Sequence, residues 1–286
     1  MLKKLIKHDF RGMSRVLFPL QIGVLAATLL ATLLTTTSLR LGVFQNGSEL
    51  TVGSGMYTVS ALTLSVLLGM CVIASGVATM IIICAYFSKN FLGDEGYLTF
   101  TLPVKTNRLV ASKLICGMLW MIINFVVICI AGLLYCNFGL AYKGVINMDV
   151  LGIFGQMFSG IGELSKYVSV PLLIVEVLLW LLTTLAAGIM EIYFAIIVGG
   201  QVAKKHKAFA GIGILLLINF LVGIVKNAFR LFSVGTGSLN LLFSSNWNGG
   251  ALFQYTIWMD MAIAILLAVG FFIWSSYILN KKLNLQ

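Results

Sequence analysis

The sequence predicts an all-α, polytopic membrane protein with six transmembrane helices. Of its 286 residues, 60% are hydrophobic and only 10% are charged, whereas a soluble domain carries about 25% charged residues. Six apolar stretches reach the length of about 20 residues that a helix needs to cross the hydrocarbon core of a bilayer. We therefore expect the whole chain, 1–286, to form a single transmembrane domain. The predicted spans are 16–37, 57–88, 114–136, 169–199, 209–232 and 256–279.

The positions of Lys and Arg predict how these spans are oriented. Most of the 19 Lys and Arg residues lie in the N-terminus, the second-to-third connection, the fourth-to-fifth connection and the C-terminus. The exceptions are Arg40, Lys143, Lys166, Lys226 and Arg230. Because Lys and Arg are enriched in cytoplasmic segments, we expect a multi-pass protein of the plasma membrane with both termini cytoplasmic. The net charge of +10 then reflects topology and contact with anionic membrane lipid, and no nucleic-acid partner is expected.

Residues 1–15 are predicted to form an amphipathic helix that lies in the plane of the membrane. At about 100° per residue, apolar and basic side chains fall on opposite faces, which is typical of helices at headgroup level. Pro19 follows where the chain would turn from lying flat to crossing the membrane. A basic tail that serves only topology is the alternative. The apolar face comprises Leu2, Leu5, Ile6, Phe10, Met13 and Leu17, and the basic face comprises Lys3, Lys4, Lys7, Arg11 and Arg15.

The connection between the second and third spans, 89–108, is unusually apolar for a cytoplasmic segment. It contains an acidic pair that is flanked by glycines, which permit a tight bend, and followed by apolar residues. An exposed surface of this kind suggests a docking site for another protein. A loop that lies against the bilayer, with Pro103 and Thr106 starting the next helix, fits the composition equally well. The residues concerned are Gly93, Asp94, Glu95, Gly96, Tyr97 and Leu98.

The run over 93–104, GDEGYLTFTLPV, resembles the segment after the second span in type-2 ABC transporter permeases of Gram-positive bacteria. The layout of six spans with no ATPase domain is similar as well. The resemblance implies a permease subunit of an ATP-driven exporter, which forms the substrate pathway together with a second permease copy as a homodimer or heterodimer. ATP and Mg would then bind to a separate ATP-binding subunit. In that family the segment is a coupling helix, so the expected contacts with the ATP-binding subunit are Gly93, Asp94, Glu95, Gly96, Tyr97 and Leu98.

Two further connections, on the external side, are partly apolar. Apolar residues recur at helical spacing over 150–164, which predicts a short helix on the outer surface. The connection over 233–255 mixes apolar residues with Gly and Asn. It fits either a surface loop or a segment that dips back into the membrane, where protein or water would have to satisfy its backbone.

Five ionisable residues within the spans are candidate functional residues, since charges inside a membrane are costly. At about 1.5 Å per residue, three of them fall in the outer third of the membrane, where they fit an ion-pair network or a substrate contact. Glu191 lies deeper toward the cytoplasmic side, near the level of Lys89 or Lys113, and fits a water-filled pathway or a proton relay. The outer three are Glu176, Lys226 and Asp260, and Arg230 lies near the outer surface.

No residue pattern predicts an enzyme, a metal site or a cofactor in this chain. The five Cys lie in or at the ends of spans without C-x-x-C spacing or a nearby His, which is typical of buried thiols. No phosphate-binding G-x-x-x-x-G-K-[ST], no H-E-x-x-H and no G-x-S-x-G occurs. The competing classes are an ion-coupled secondary transporter, with Glu176 and Glu191 as coupling carboxylates, and a membrane receptor or scaffold that transports nothing. The identity of a substrate is not encoded in any recognisable motif.

Overall fold

The structure is a computed structural model that describes the backbone of residues 2–46, 55–92, 106–135, 170–202, 207–243 and 249–281. Each of the six helices in these ranges contains a segment long and apolar enough to cross a membrane. The predicted all-α class with six such helices is therefore confirmed. The helices are α1 (Leu2–Asn46), α2 (Gly55–Leu92), α3 (Thr106–Leu134), α4 (Val170–Val202), α5 (Lys207–Phe243) and α6 (Gly249–Lys281).

The first helix differs from the prediction at its N-terminal end. Helix α1 runs without a break from Leu2 to Asn46 and contains Pro19, so no separate helix ends before the first span. Proline lacks the N–H that would bond one turn back, but membrane helices tolerate it where local adjustments or neighbouring groups compensate. Within α1, Met13 and Leu17 are buried, whereas the basic side chains of its first turns are exposed.

Several helices extend past the predicted spans. Helix α3 begins at Thr106, so Arg108 and Lys113 belong to the helix and not to the preceding connection. Helix α5 continues to Phe243 and α6 begins at Gly249, so most of the 233–255 connection is helical. That segment contains no proline to stop a helix. The expected surface helix over 150–164 lies outside the described residues.

Contacts between residues divide the chain into two compact units. The first unit comprises Met1–Phe10, Ile83–Met118 and Gly160–Gln286, and the second comprises Arg11–Ile82 and Leu119–Ser159. Apolar side chains such as Leu33, Ile73 and Leu266 are largely exposed on their helices. Exposed apolar surface on this scale is typical of a protein whose helices face lipid.

In the second unit, α1, α2 and α3 pack around a buried cluster of Ala31, Leu68 and Tyr135. Gln21 of α1 donates a hydrogen bond to Thr79 of α2, whereas Ala31, further along α1, meets the earlier residue Leu68. This order makes α1 and α2 antiparallel. Asn124 of α3 bonds to Gln21, and Tyr135, which directly follows α3, meets Ala31. Later residues thus meet later residues, so α1 and α3 are parallel.

In the first unit, α4 packs along both α5 and α6. A Cβ added to Gly199 would lie only 2.5 Å from the Cα of Gly211, so the backbones of α4 and α5 approach closely. Helices α4 and α6 are parallel, because the early residue Glu176 meets Trp258 and the later residue Phe194 meets Trp274. Helices α5 and α6 both contact α4 and also contact each other.

Candidate functional site

The strongest candidate site in the first unit is an ion pair between Asp9 of α1 and Lys113 of α3. Lys113 Nζ lies 2.5 Å from Asp9 Oδ1, and each residue is only 4% exposed. Charges this deeply enclosed are stable only when they are paired and hydrogen-bonded. The pair therefore fixes the first turns of α1 against α3.

Two hydroxyl groups complete the environment of the Asp9 carboxylate. Ser112 Oγ donates to Asp9 Oδ2 over 2.8 Å, and Tyr86 OH of α2 donates to Asp9 Oδ1 over 3.4 Å. The Lys113 ammonium also lies 4.5 Å from the centre of the Tyr86 ring, a geometry that stabilises a cation over an aromatic face. Both carboxylate oxygens are thus hydrogen-bonded, and three helices meet at one acidic side chain.

A fourth helix is tied to this site through Tyr193 of α4. The Tyr193 hydroxyl donates to the backbone carbonyl of Lys113 over 3.3 Å, and its ring stacks on Phe87 of α2 with 3.8 Å between centroids. Cys116 Sγ donates to the backbone carbonyl of Ile6 over 3.4 Å. A Cβ on Gly117 would lie 3.1 Å from the Tyr193 hydroxyl, so a glycine leaves room for that contact. We call the group that makes these polar contacts the Asp9 cluster: Asp9, Tyr86, Ser112, Lys113, Cys116 and Tyr193.

The position of the Asp9 cluster along the chain is informative. Helix α2 ends at Leu92 and α3 begins at Thr106, so Tyr86 and Lys113 each lie about two turns from the connection that joins these helices. The cluster therefore holds both helix ends that flank this connection. The predicted contact residues Gly93, Asp94, Glu95, Gly96, Tyr97 and Leu98 lie outside the described residues.

Sequence reasoning missed this cluster, because it assigned Lys113 to a connection and gave Asp9 no role. One signal was present. Asp9 lies within one turn of Leu5, Ile6 and Met13 on the apolar face of α1. An acidic residue at the centre of an apolar face requires a buried partner, and that requirement predicts a cation or several donors opposite it.

Glu176 of α4 has different partners from the predicted cation. It is 5% exposed, and its Oε1 accepts hydrogen bonds from Gln254 Nε2 over 2.9 Å and from Trp258 Nε1 over 3.1 Å. Both donors belong to α6. Within the described part of the chain, Lys226 forms no salt bridge with Glu176 and instead interacts electrostatically with Glu191.

The other intramembrane candidates occupy separate positions in the first unit. Glu191 Oε1 is buried and has no hydrogen-bond partner among the described residues. Asp260 is partly buried on α6. Arg230 belongs to α5, and its side chain lies outside the described residues. The structure thus does not join Glu176 and Lys226, whose charges the sequence placed at one depth.

The second unit contains a buried polar chain of its own. Asn124 Nδ2 of α3 donates to Gln21 Oε1 of α1 over 3.3 Å, and Gln21 Nε2 donates to Thr79 Oγ1 of α2 over 3.3 Å. Thr79 in turn donates to the carbonyl of Ser75. Polar side chains that bond across apolar helices fix which faces pack together. This series of hydrogen bonds therefore sets the rotation of α1, α2 and α3.

Metal ligands do not gather anywhere in the described ranges, where no group of three or more His, Cys, Asp and Glu could hold an ion. Cys71, Cys84, Cys116 and Cys129 are free thiols. The Asp9 cluster itself is a charge-assisted hydrogen-bond network.

Comparison of the chain with protein-family models, with curated proteins and with solved structures gives no match.

Proposed function

We propose that this chain is the membrane-spanning permease subunit of an ATP-driven ABC exporter. One observation carries the proposal. The Asp9 cluster links α1 and α4 to the two helix ends that flank the connection containing 93–98. That same connection carries the sequence that resembles a coupling helix.

The cluster supports a mechanical role because its contacts join separate helices by short polar bonds. A force on the connection would act on the end of α2 and the start of α3. Tyr86, Ser112 and Lys113 bind Asp9 of α1, and Lys113 also accepts a bond from Tyr193 of α4. Packed helices linked in this way move as rigid elements. Closure of an ATP-binding partner would then shift four helices together.

The proposed topology, with both termini cytoplasmic in the plasma membrane, rests on the distribution of Lys and Arg, and the helix directions fit the alternating crossings that it requires. Within the units, α1 and α2 are antiparallel, and α4 and α6 are parallel, as alternating crossings require. In this topology the exposed Lys and Arg of the first turns of α1 lie at the cytoplasmic headgroups, where they contact anionic lipid.

The proposed partners are an ATP-binding subunit, which holds ATP and Mg, and a second permease copy. The acidic pair Asp94 and Glu95 would meet basic residues of the ATP-binding subunit, and Tyr97 and Leu98 would supply apolar contacts. Aromatic residues at the centre of an interface commonly carry at least about 2 kcal/mol each.

The test is to express the chain with the ATP-binding protein encoded beside it and to measure co-purification and ATP hydrolysis. Asp94→Lys/Glu95→Lys and Tyr97→Ala/Leu98→Ala should reach the membrane in normal amounts but lose association, because charge reversal adds repulsion and truncation removes apolar contacts. Lys204→Gln/Lys205→Gln, in another connection, is the matched control and should associate normally. Normal association and hydrolysis in both loop variants would refute the proposed coupling role.

The buried Oε1 of Glu191, which has no hydrogen-bond partner among the described residues, favours a second candidate, an ion-coupled secondary transporter. Intramembrane carboxylates of this kind serve as proton sites in such proteins. Proteoliposomes that contain only this chain distinguish the two. Substrate transport into or out of the proteoliposomes that is driven by a pH gradient, and that is lost in Glu191→Gln, would support the second candidate.

A further inference from the structure

We propose that Glu176, near the N-terminal end of α4, binds an organic cation that carries an ammonium or guanidinium group. The inference rests on the juxtaposition of this carboxylate with Gln254 and Trp258 of α6. It concerns binding to this chain alone and does not depend on the proposed ATP-binding partner.

The carboxylate is held in place by one of its two oxygens. Oε1 accepts both N–H donors, from Gln254 and from Trp258. Oε2 makes no hydrogen bond in the described part of the chain, and it is not among the fully enclosed polar atoms there. An ionised carboxylate offers about four acceptor positions, so Oε2 of Glu176 is fixed in orientation by the bonds to Oε1 and is still able to accept.

The described residues also give this carboxylate no internal counter-charge. Lys226, the cation that the sequence placed at the same depth, interacts with Glu191. Both donors that reach Glu176 are neutral groups. A buried carboxylate without a cation is unstable relative to a paired one, so a cation beyond the described residues would complete the site.

The surroundings favour an organic cation over a metal ion. Ca²⁺ needs about six to eight oxygen ligands, and no group of three or more candidate ligands occurs among the described residues. Aromatic rings, by contrast, are close in sequence and on neighbouring turns. Trp258 is 52% exposed and Tyr255 is 42% exposed, and Trp180 lies one turn after Glu176 on the same face of α4. Rings of this kind stabilise organic cations and cover their alkyl parts.

The experiment uses the purified full-length protein in nanodiscs of neutral lipid and three probes of equal chain length. They are n-octylammonium, octyltrimethylammonium and n-octanol. Octylammonium should bind saturably by calorimetry and change the intrinsic tryptophan fluorescence, since Trp258 donates to the same carboxylate. Octyltrimethylammonium, which lacks N–H donors, should bind more weakly. Octanol should show only partition into lipid.

The variant Glu176→Gln keeps the shape of the side chain and removes its charge, so it should weaken octylammonium binding by about tenfold or more. Thr183→Val, two turns further along α4, is the control and should bind as the wild type does, because the Thr183 hydroxyl bonds to the backbone of its own helix. Wild-type affinity in a folded Glu176→Gln protein would overturn the proposal.

A measurement on the wild type keeps the test valid if Glu176→Gln does not fold. Octylammonium should raise the midpoint of thermal unfolding, and octanol at the same concentration should not, because a ligand stabilises the state that binds it. Equal effects of the two probes would mean simple partition of the alkyl chain and would overturn the proposal.

Discussion

Lys113 Nζ lies 2.5 Å from Asp9 Oδ1 although 104 residues separate the two in sequence. Ser112, the neighbour of Lys113, bonds to the other oxygen of the same carboxylate. The start of α3 therefore holds Asp9 at both oxygens. This contact joins the N-terminal turns of the chain to the helix that follows the connection containing 93–98.

Removal of one partner of this ion pair should cost more stability than removal of both. Lys113→Met leaves a buried carboxylate without a cation, which costs about 3–5 kcal/mol. In Asp9→Asn/Lys113→Met no charge is left unpaired, so part of that loss should be recovered. Thermal unfolding and folded yield in mild detergent measure the effect. Lys4→Gln, an exposed cation of α1, is the control. Additive losses in the double variant would show that the two charges do not stabilise each other.

Close packing of α4 on α5 predicts a different outcome for two glycines of α4. A Cβ at Gly199 would lie 2.5 Å from the backbone of Gly211, whereas a Cβ at Gly188 meets nothing within 4 Å. Gly199→Ala should destabilise the protein by about 1–3 kcal/mol, since the helices must separate. Gly188→Ala should be neutral or stabilising, because alanine favours a helix by up to about 1 kcal/mol. Equal unfolding midpoints for the two variants would contradict the close approach.

The partners of Glu176 predict which pairs of substitutions interact. Glu176→Gln and Trp258→Phe should be coupled by about 0.5–3 kcal/mol in a double-mutant cycle, because the two residues share a hydrogen bond. Glu176→Gln and Lys226→Met should be additive, since the structure does not join these residues. Unfolding midpoints of the single and double variants provide both cycles. Coupling to Lys226 without coupling to Trp258 would restore the ion pair predicted from the sequence.

Accessibility of single cysteines tests the proposed orientation. Cysteines at Asn46, Asn147 and Asn246, introduced into a variant without the native Cys, should react with a membrane-impermeant thiol reagent on intact cells. Cysteines at Asn90 and Lys205 should react only after the membrane is opened. Equal labelling of the two sets of cysteines on intact cells would contradict the proposed topology.

The sequence alone determined the class of the fold, since six stretches are too long and too apolar for anything but buried or membrane helices. Helical periodicity also places Met13 and Leu17 opposite the basic residues of α1, and these two side chains are buried. Both properties depend on local sequence and on the solvent that surrounds each face.

The tertiary structure decided which residues meet. Depth along a helix can be counted from sequence, but the rotation of a helix and the identity of its neighbour depend on packing over the whole unit. Depth placed Glu176 beside Lys226, whereas the rotation of α4 turns Glu176 to Gln254 and Trp258. Asp9 meets Lys113 for the same reason. The partner of a buried charge depends on which helices pack around it, and the local sequence does not show which helices those are.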